Sequence, residues 1–133
     1  MAKLTAKDIE RLERRLRGRR EELRARIHDA LLESNRNDFT ELAGRVRDVG
    51  EESVAELVAS TNLTILDREV NELRDVEAAL GRIAEGTYGR CEVCGGEIDR
   101  ERLEAYPTAT RCFEDQQRYE IERAGGRDQT PSL

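Results

Sequence analysis

From Ile9 onward the apolar residues Leu12, Leu16, Leu23, Ile27 and Leu31 return at spacings of three, four or seven positions. That period lays one narrow stripe along a helix and predicts helix over roughly residues 6–33. Thr5, followed three places on by Asp8, reads as its N-cap with a carboxylate in the first turn. Glu10/Arg14, Glu13/Arg17 and Glu22/Arg26 stand four apart in the favoured order, whereas Gly18 costs the helix about 1 kcal/mol. A second stripe, Val54, Leu57, Val58, Ile65, Leu66, Leu73, Val76, Leu80 and Ile83, predicts another long helix from about residue 52 to 85. Its length is about 50 Å at ~1.5 Å per residue. Two such narrow stripes have no third element to cover them, so they are expected to bury each other as an antiparallel coiled-coil hairpin. The expectation is a hairpin over residues 1–86, with a connecting tip at about 34–53 in which Phe39 to Ala43 adds a helical turn.

Gly86 and Gly89 stop the second helix and open a different kind of segment, residues 87–124, which holds all three cysteines and all three tyrosines. A short helix from Cys112 to Ala124 closes it at Gly125-Gly126, and residues 125–133 are expected to be a frayed, flexible tail. The fold class predicted is therefore mainly α: a long antiparallel coiled-coil hairpin plus a small zinc-ribbon-like knob with a C-terminal helix.

Composition supports an extended helical protein rather than a compact globule. Of the 133 residues, 39% are charged, 4% are aromatic and none is Trp. The net charge of −6 argues against an unspecific grip on nucleic acid or anionic membrane. The charge is uneven: residues 1–33 carry ten Lys/Arg against seven Asp/Glu, while 91–133 carry six against ten. No apolar run approaches the ~20 residues of a bilayer span and no secretory signal opens the chain, so a cytoplasmic protein is expected. The paired stripes leave no comparable face for a second copy, which predicts a monomer.

The chemistry gathers in the knob. Cys91-x2-Cys94 followed by Gly95-Gly96 is a zinc-knuckle half-site, in which a tight turn brings two sulfurs to one cation. Seventeen residues separate Cys94 from Cys112, and Asp115 stands where a four-thiolate ribbon has its fourth cysteine. On one helical face with Cys112, Asp115 can reach the same metal, with the single negative charge of a thiolate. Three readings stay open here: a zinc site of Cys91, Cys94, Cys112 and Asp115, a metal-free knob with Asp115 in solvent, and a redox switch closing Cys91 to Cys94. Four protein ligands would leave no position for a substrate, so an occupied site is structural. No phosphate loop, nucleophile–base pair or metalloprotease motif is present, and the chain is not read as an enzyme.

The run Ala79-Leu80-Gly-Arg-Ile83-Ala-Glu-Gly86-Thr-Tyr88-Gly89-Arg-Cys91-Glu-Val-Cys94-Gly95, then Ile98, Arg102-Leu103-Glu-Ala105-Tyr-Pro107-Thr-Ala109 and Cys112, closely resembles the DksA/TraR family. These are bacterial regulators that bind RNA polymerase without binding DNA. The resemblance implies a coiled coil that enters the polymerase secondary channel and sets acidic tip residues near the catalytic magnesium, in several members together with guanosine tetraphosphate. Where family tips carry Asp-x-x-Asp-x-Ala, this chain has Asp48-Val-Gly-Glu51-Glu-Ser53, with Glu for the second acid and Ser for Ala. The same residues also read as helix starts, Asp48 with Glu51 and Ser53 with Glu56. Two rival functions use the same features: a nucleic-acid-binding zinc ribbon, which the acidic knob fits poorly, and a thiol-based redox-sensing adaptor.

Overall fold

The computed structural model describes residues 3–33, 37–50, 52–59 and 66–128. Among these residues six helices follow one another: α1 (Ala6–Glu33), α2 (Asn37–Asp48), α3 (Val54–Ala59), α4 (Asp67–Glu85), α5 (Arg100–Ala105) and α6 (Phe113–Asp128). Among the described residues no strand forms, and the only extended pairing is an isolated bridge between Arg90 and Glu97.

α1 begins as the sequence predicts. The backbone N–H of Asp8 donates to Thr5 Oγ1 at 3.1 Å, and that of Thr5 donates to Asp8 Oδ2 at 2.9 Å, a reciprocal capping box. The whole predicted stripe Leu12, Leu16, Leu23, Ile27 and Leu31 is buried. It serves two partners, because α1 packs on both α4 and α2. Arg19 of α1 clasps Glu72 of α4 with a two-pronged bond of 2.5 and 2.8 Å. One turn further on, Arg24 donates to the carbonyls of Val49 and Glu52, just beyond α2. The amino-terminal half of α1 thus lies on α4 and the remainder on α2, which returns antiparallel to it.

The fold class holds: a long first helix, a returning helical arm and a knob. In place of the single helix expected over residues 52–85 there are two, α3 and α4. Ile65 lies outside the described residues. The connection expected to carry one helical turn holds the 12-residue α2 instead. Phe39, Leu42, Ala43 and Val46 explain this, since their spacing of three and four makes a short apolar stripe, and all four are buried. α3 is set on α4 by Glu77, which accepts from Ser53 Oγ at 2.8 Å and from the Val54 N–H at 3.0 Å. The Ser53 hydroxyl in turn accepts the Glu56 N–H at 3.0 Å, so Ser53 is a true N-cap.

α4 ends where glycine was expected to end it. Gly86 takes φ +80°, its N–H bonds to the Ile83 carbonyl at 3.2 Å, and the Thr87 N–H bonds to the Arg82 carbonyl at 2.9 Å. That pair of bonds is a Schellman motif. The chain then doubles back: Ile98 N–H bonds to Gly89 O and Cys91 N–H to Gly96 O, both at 2.8 Å. Tyr88, Cys91, Ile98 and Leu103 are buried and belong to the same apolar cluster as the helical stripes, so knob and arm share one core. Arg11 pairs with Glu104, Arg15 donates to the Glu104 carbonyl at 2.9 Å, and Arg100 lies 3.8 Å from Asp8. These bonds pin the base of α1 to α5.

The last helix runs to Asp128, past the Gly125-Gly126 pair expected to end it. Interior glycine weakens a helix by only about 1 kcal/mol and does not break it. The final five residues of the expected tail lie outside the described residues. No described helix is long and apolar enough to cross a membrane.

Candidate metal centre

Four potential ligands converge in the knob. One ligand atom each from Cys91, Cys94, Cys112 and Asp115 falls within 4.8 Å of every other. A tetrahedral zinc with ligands at about 2.0–2.3 Å spaces them roughly 3.3–3.8 Å apart, so these donors fit such an ion with small adjustment. Asp115 Oδ2 already lies 3.1 Å from Cys91 Sγ and 3.2 Å from Cys112 Sγ.

Each ligand is placed by a local device. The turn after Cys91 closes through the Gly95 N–H to the Cys91 carbonyl at 3.0 Å, with Gly95 at φ +74°, a conformation that favours glycine. Within it the Val93 N–H points at Cys91 Sγ and the Gly96 N–H at Cys94 Sγ, both at 3.4 Å. The opposite pair rides on α6. Cys112 immediately precedes the helix and Asp115 stands in its first turn, where the helix dipole favours negative charge. The two halves are tied by the Glu92 N–H to the Thr110 carbonyl at 2.8 Å and by the Arg111–Glu92 ion pair at 3.1 Å.

The electrostatics of the four groups are coupled. Burial opposes the Cys91 thiolate, but backbone N–H groups of Cys94, Cys112 and Val93 prevail and bring its pKa below the ordinary value. For Cys112 the Asp115 N–H favours the thiolate, yet burial, the Asp115 carboxylate and the other two cysteines push it up to about 11. The Asp115 carboxyl is held below the usual range by the thiols of Cys91, Cys112 and Cys94 and by Arg118. Of the charged side chains with described burial, only Asp8 and Asp115 are buried. A carboxylate buried among three thiols needs cationic compensation; Arg118 supplies part of it at 3.1 Å, and a metal ion held by the four groups would supply the rest.

Asp115 is therefore not in solvent, as one of the sequence readings had it. Arg118, which donates to Asp115 Oδ1 at 3.1 Å, was missed by the sequence reading. Its signal was the i, i+3 spacing on a helix.

Asp48 and Ser53 do not join this site. Asp48 is the exposed last residue of α2 and Ser53 caps α3, while Glu51 lies outside the described residues. Because Arg24 holds the carbonyls of Val49 and Glu52, this turn lies beside the middle of α1 instead of projecting past its end. The reason is α2, whose apolar stripe brings the chain back along α1.

The family described as the prokaryotic dksA/traR C4-type zinc finger matches residues 86–120. An RNA polymerase-binding transcription factor DksA from Caulobacter vibrioides is 36% identical over 81 residues, which are 61% of this chain and 57% of that protein. This chain thus spans little more than half the length of that relative. The structure of transcription factor DksA2 from Pseudomonas aeruginosa superposes with a TM-score of 0.61 at 31% identity, covering 90% of this chain and 88% of that one. The chain belongs to the DksA/TraR family. The solution structure of DnaK suppressor protein from Agrobacterium tumefaciens C58 agrees, with a TM-score of 0.57 at 31% identity over 88% of this chain and 98% of that one. The DksA/TraR zinc finger is described as C4-type, and in this chain the group gathered with the three thiols is the Asp115 carboxylate.

Proposed function

We propose that this chain binds RNA polymerase directly and regulates transcription initiation, acting in the cytoplasm as a monomeric, non-catalytic factor. The observation that carries the reading is the correspondence along nearly the whole chain, arm and knob together, with the solved DksA2 transcription factor. A match confined to the knob would support only a shared metal module. Zinc held by Cys91, Cys94, Cys112 and Asp115 serves to staple the knob; its four ligands leave no position for a substrate.

In this reading the helical arm enters the secondary channel of the polymerase and the acids Asp48 and Glu51 act there, with guanosine tetraphosphate as a candidate co-effector at the interface. The exposure of Asp48 supports a contact made from the flank of the arm. A carboxylate brought close to a bound magnesium changes the local charge and can alter its coordination. Co-purification with RNA polymerase and in vitro initiation test the proposal together. Asp48→Asn with Glu51→Gln is expected to abolish the effect on initiation while polymerase binding persists. An unchanged effect in the double variant leaves these residues with helix-end roles alone, and failure to bind polymerase removes the reading as a whole.

A further inference from the structure

Cys112, Asp115 and Arg118 succeed one another at intervals of three, which places them along one face at the start of α6. The Asp115 carboxylate on this face is divided between two tasks. Its Oδ2 faces the sulfurs of Cys91 and Cys112 at 3.1 and 3.2 Å, and its Oδ1 accepts from Arg118 Nη1 at 3.1 Å. The Asp115 side chain is only 5% exposed, whereas that of Arg118 is 66% exposed. A solvated arginine thus reaches down to the outer oxygen of a buried carboxylate whose inner oxygen points into the metal site.

We propose that Arg118 is a positioning residue for the metal centre, one that makes Asp115 serve as a single-oxygen ligand equivalent to the missing fourth thiolate. This rests on the reading of Asp115 as a zinc ligand. An aspartate can offer a metal one oxygen or two, and a second oxygen would crowd a site sized for four donors. The guanidinium engages Oδ1 and so leaves Oδ2 alone to face the cation. It also offsets charge: three thiolates and a carboxylate around a divalent ion leave two negative charges, and Arg118 reduces them to one. A thiolate has a single ligand atom and needs no such partner, so the arginine is specific to the carboxylate version of the site. Groups of this kind, which orient a ligand without touching the metal, typically contribute 10–100-fold in metal affinity.

The test uses the full chain in two backgrounds, with Arg118→Gln and Arg118→Lys placed in the natural protein and in Asp115→Cys. Zinc affinity is measured by chelator competition, and the ligand set is read from the absorption of the cobalt(II)-substituted protein. In the natural background Arg118→Gln is expected to weaken zinc binding 10–100-fold and to shift the cobalt d–d bands, with Arg118→Lys restoring part of both. In the Asp115→Cys background the same changes are expected to alter affinity less than about threefold, since the carboxylate is gone. Equal losses in both backgrounds, or no loss in the natural one, overturn the role of Arg118. The ligand reading fails separately: in that case Asp115→Cys adds no sulfur-to-cobalt charge-transfer intensity. Because Arg118 is largely exposed, helicity by circular dichroism is expected to be the same in every variant.

Discussion

At the scale of single residues, the metal centre is governed by proton equilibria as much as by geometry. Zinc binds thiolates, and with its pKa near 11 the Cys112 thiol is protonated at neutral pH in the metal-free protein. Binding must expel that proton, so apparent zinc affinity is expected to rise with pH across the range 6 to 8. Asp115 behaves in the opposite sense: its carboxyl is held below the usual range and is already ionised, so it releases nothing. Asp115→Cys therefore has two expected consequences. The softer donor strengthens zinc binding, and the added thiol makes the dependence on pH steeper. Chelator competition at several pH values, with calorimetric proton counting in two buffers, checks both. Parallel pH curves for the two proteins would remove Asp115 from the ligand set. Cys91-x2-Cys94, Cys112 and Asp115 were all legible in the sequence, because ligand spacing around a tight turn is a local property. The partners Arg118, Glu92 and Thr110 were not, because which side chain completes a site depends on how distant segments meet.

At the scale of elements, the helical stripes of α1 and α4 could be read from periodicity, the start of α1 from its capping residues and the end of α4 from glycine. The division of the returning arm could not. Phe39, Leu42, Ala43 and Val46 make a stripe too short to stand out among polar neighbours, yet packed against α1 it suffices for a helix of 12 residues. α2 thus occupies much of the span expected as a connecting tip at about 34–53. Glycine was legible as punctuation, and two glycines now make a matched prediction. Gly86 sits at φ +80°, so Gly86→Ala is expected to destabilise by about 1–2 kcal/mol. Gly18 is helical, and a Cβ there meets nothing within 4 Å, so Gly18→Ala is expected to stabilise by about 0.5–1 kcal/mol. Urea titrations of the two variants should move in opposite directions. In the buried seam, Ile27→Ala is expected to cost about 2–5 kcal/mol, far more than either glycine change.

At the scale of the whole molecule, arm and knob share one apolar cluster, yet they depend on different things. The arm is held by long apolar stripes and needs no staple. The knob contributes only Tyr88, Cys91, Ile98 and Leu103 to the buried core, little for a segment of its length, so it is expected to rely on a bound metal and on the base of α1. The base is itself sensitive to acid. Asp8 is held below the usual carboxylate range by the backbone N–H of Thr5, and Arg11 and Arg100 add to this. A depressed carboxyl stabilises the fold above its unfolded value of 3.8, and that contribution is lost as pH falls through the lower folded value. Metal removal at pH 7 and acid at constant metal should therefore loosen the knob by separate routes. Chelation at neutral pH is expected to lower the melting temperature and expose Tyr88, whose hydroxyl now donates to the Pro107 carbonyl at 2.8 Å, while most of the helical signal persists. Tyrosine fluorescence and far-ultraviolet circular dichroism, followed together during chelator addition, distinguish this from global unfolding. The distinguishing variant is Asp8→Asn. It keeps an oxygen able to accept from Thr5 but carries no charge, so its stability should change less between pH 5 and 3 than that of the natural protein. Its response to chelator at pH 7 should resemble the natural one. Were Asp8→Asn instead to lose zinc as readily as a cysteine variant does, the metal centre and the base of α1 would form a single cooperative unit, and the arm could not keep its helices when the knob opens.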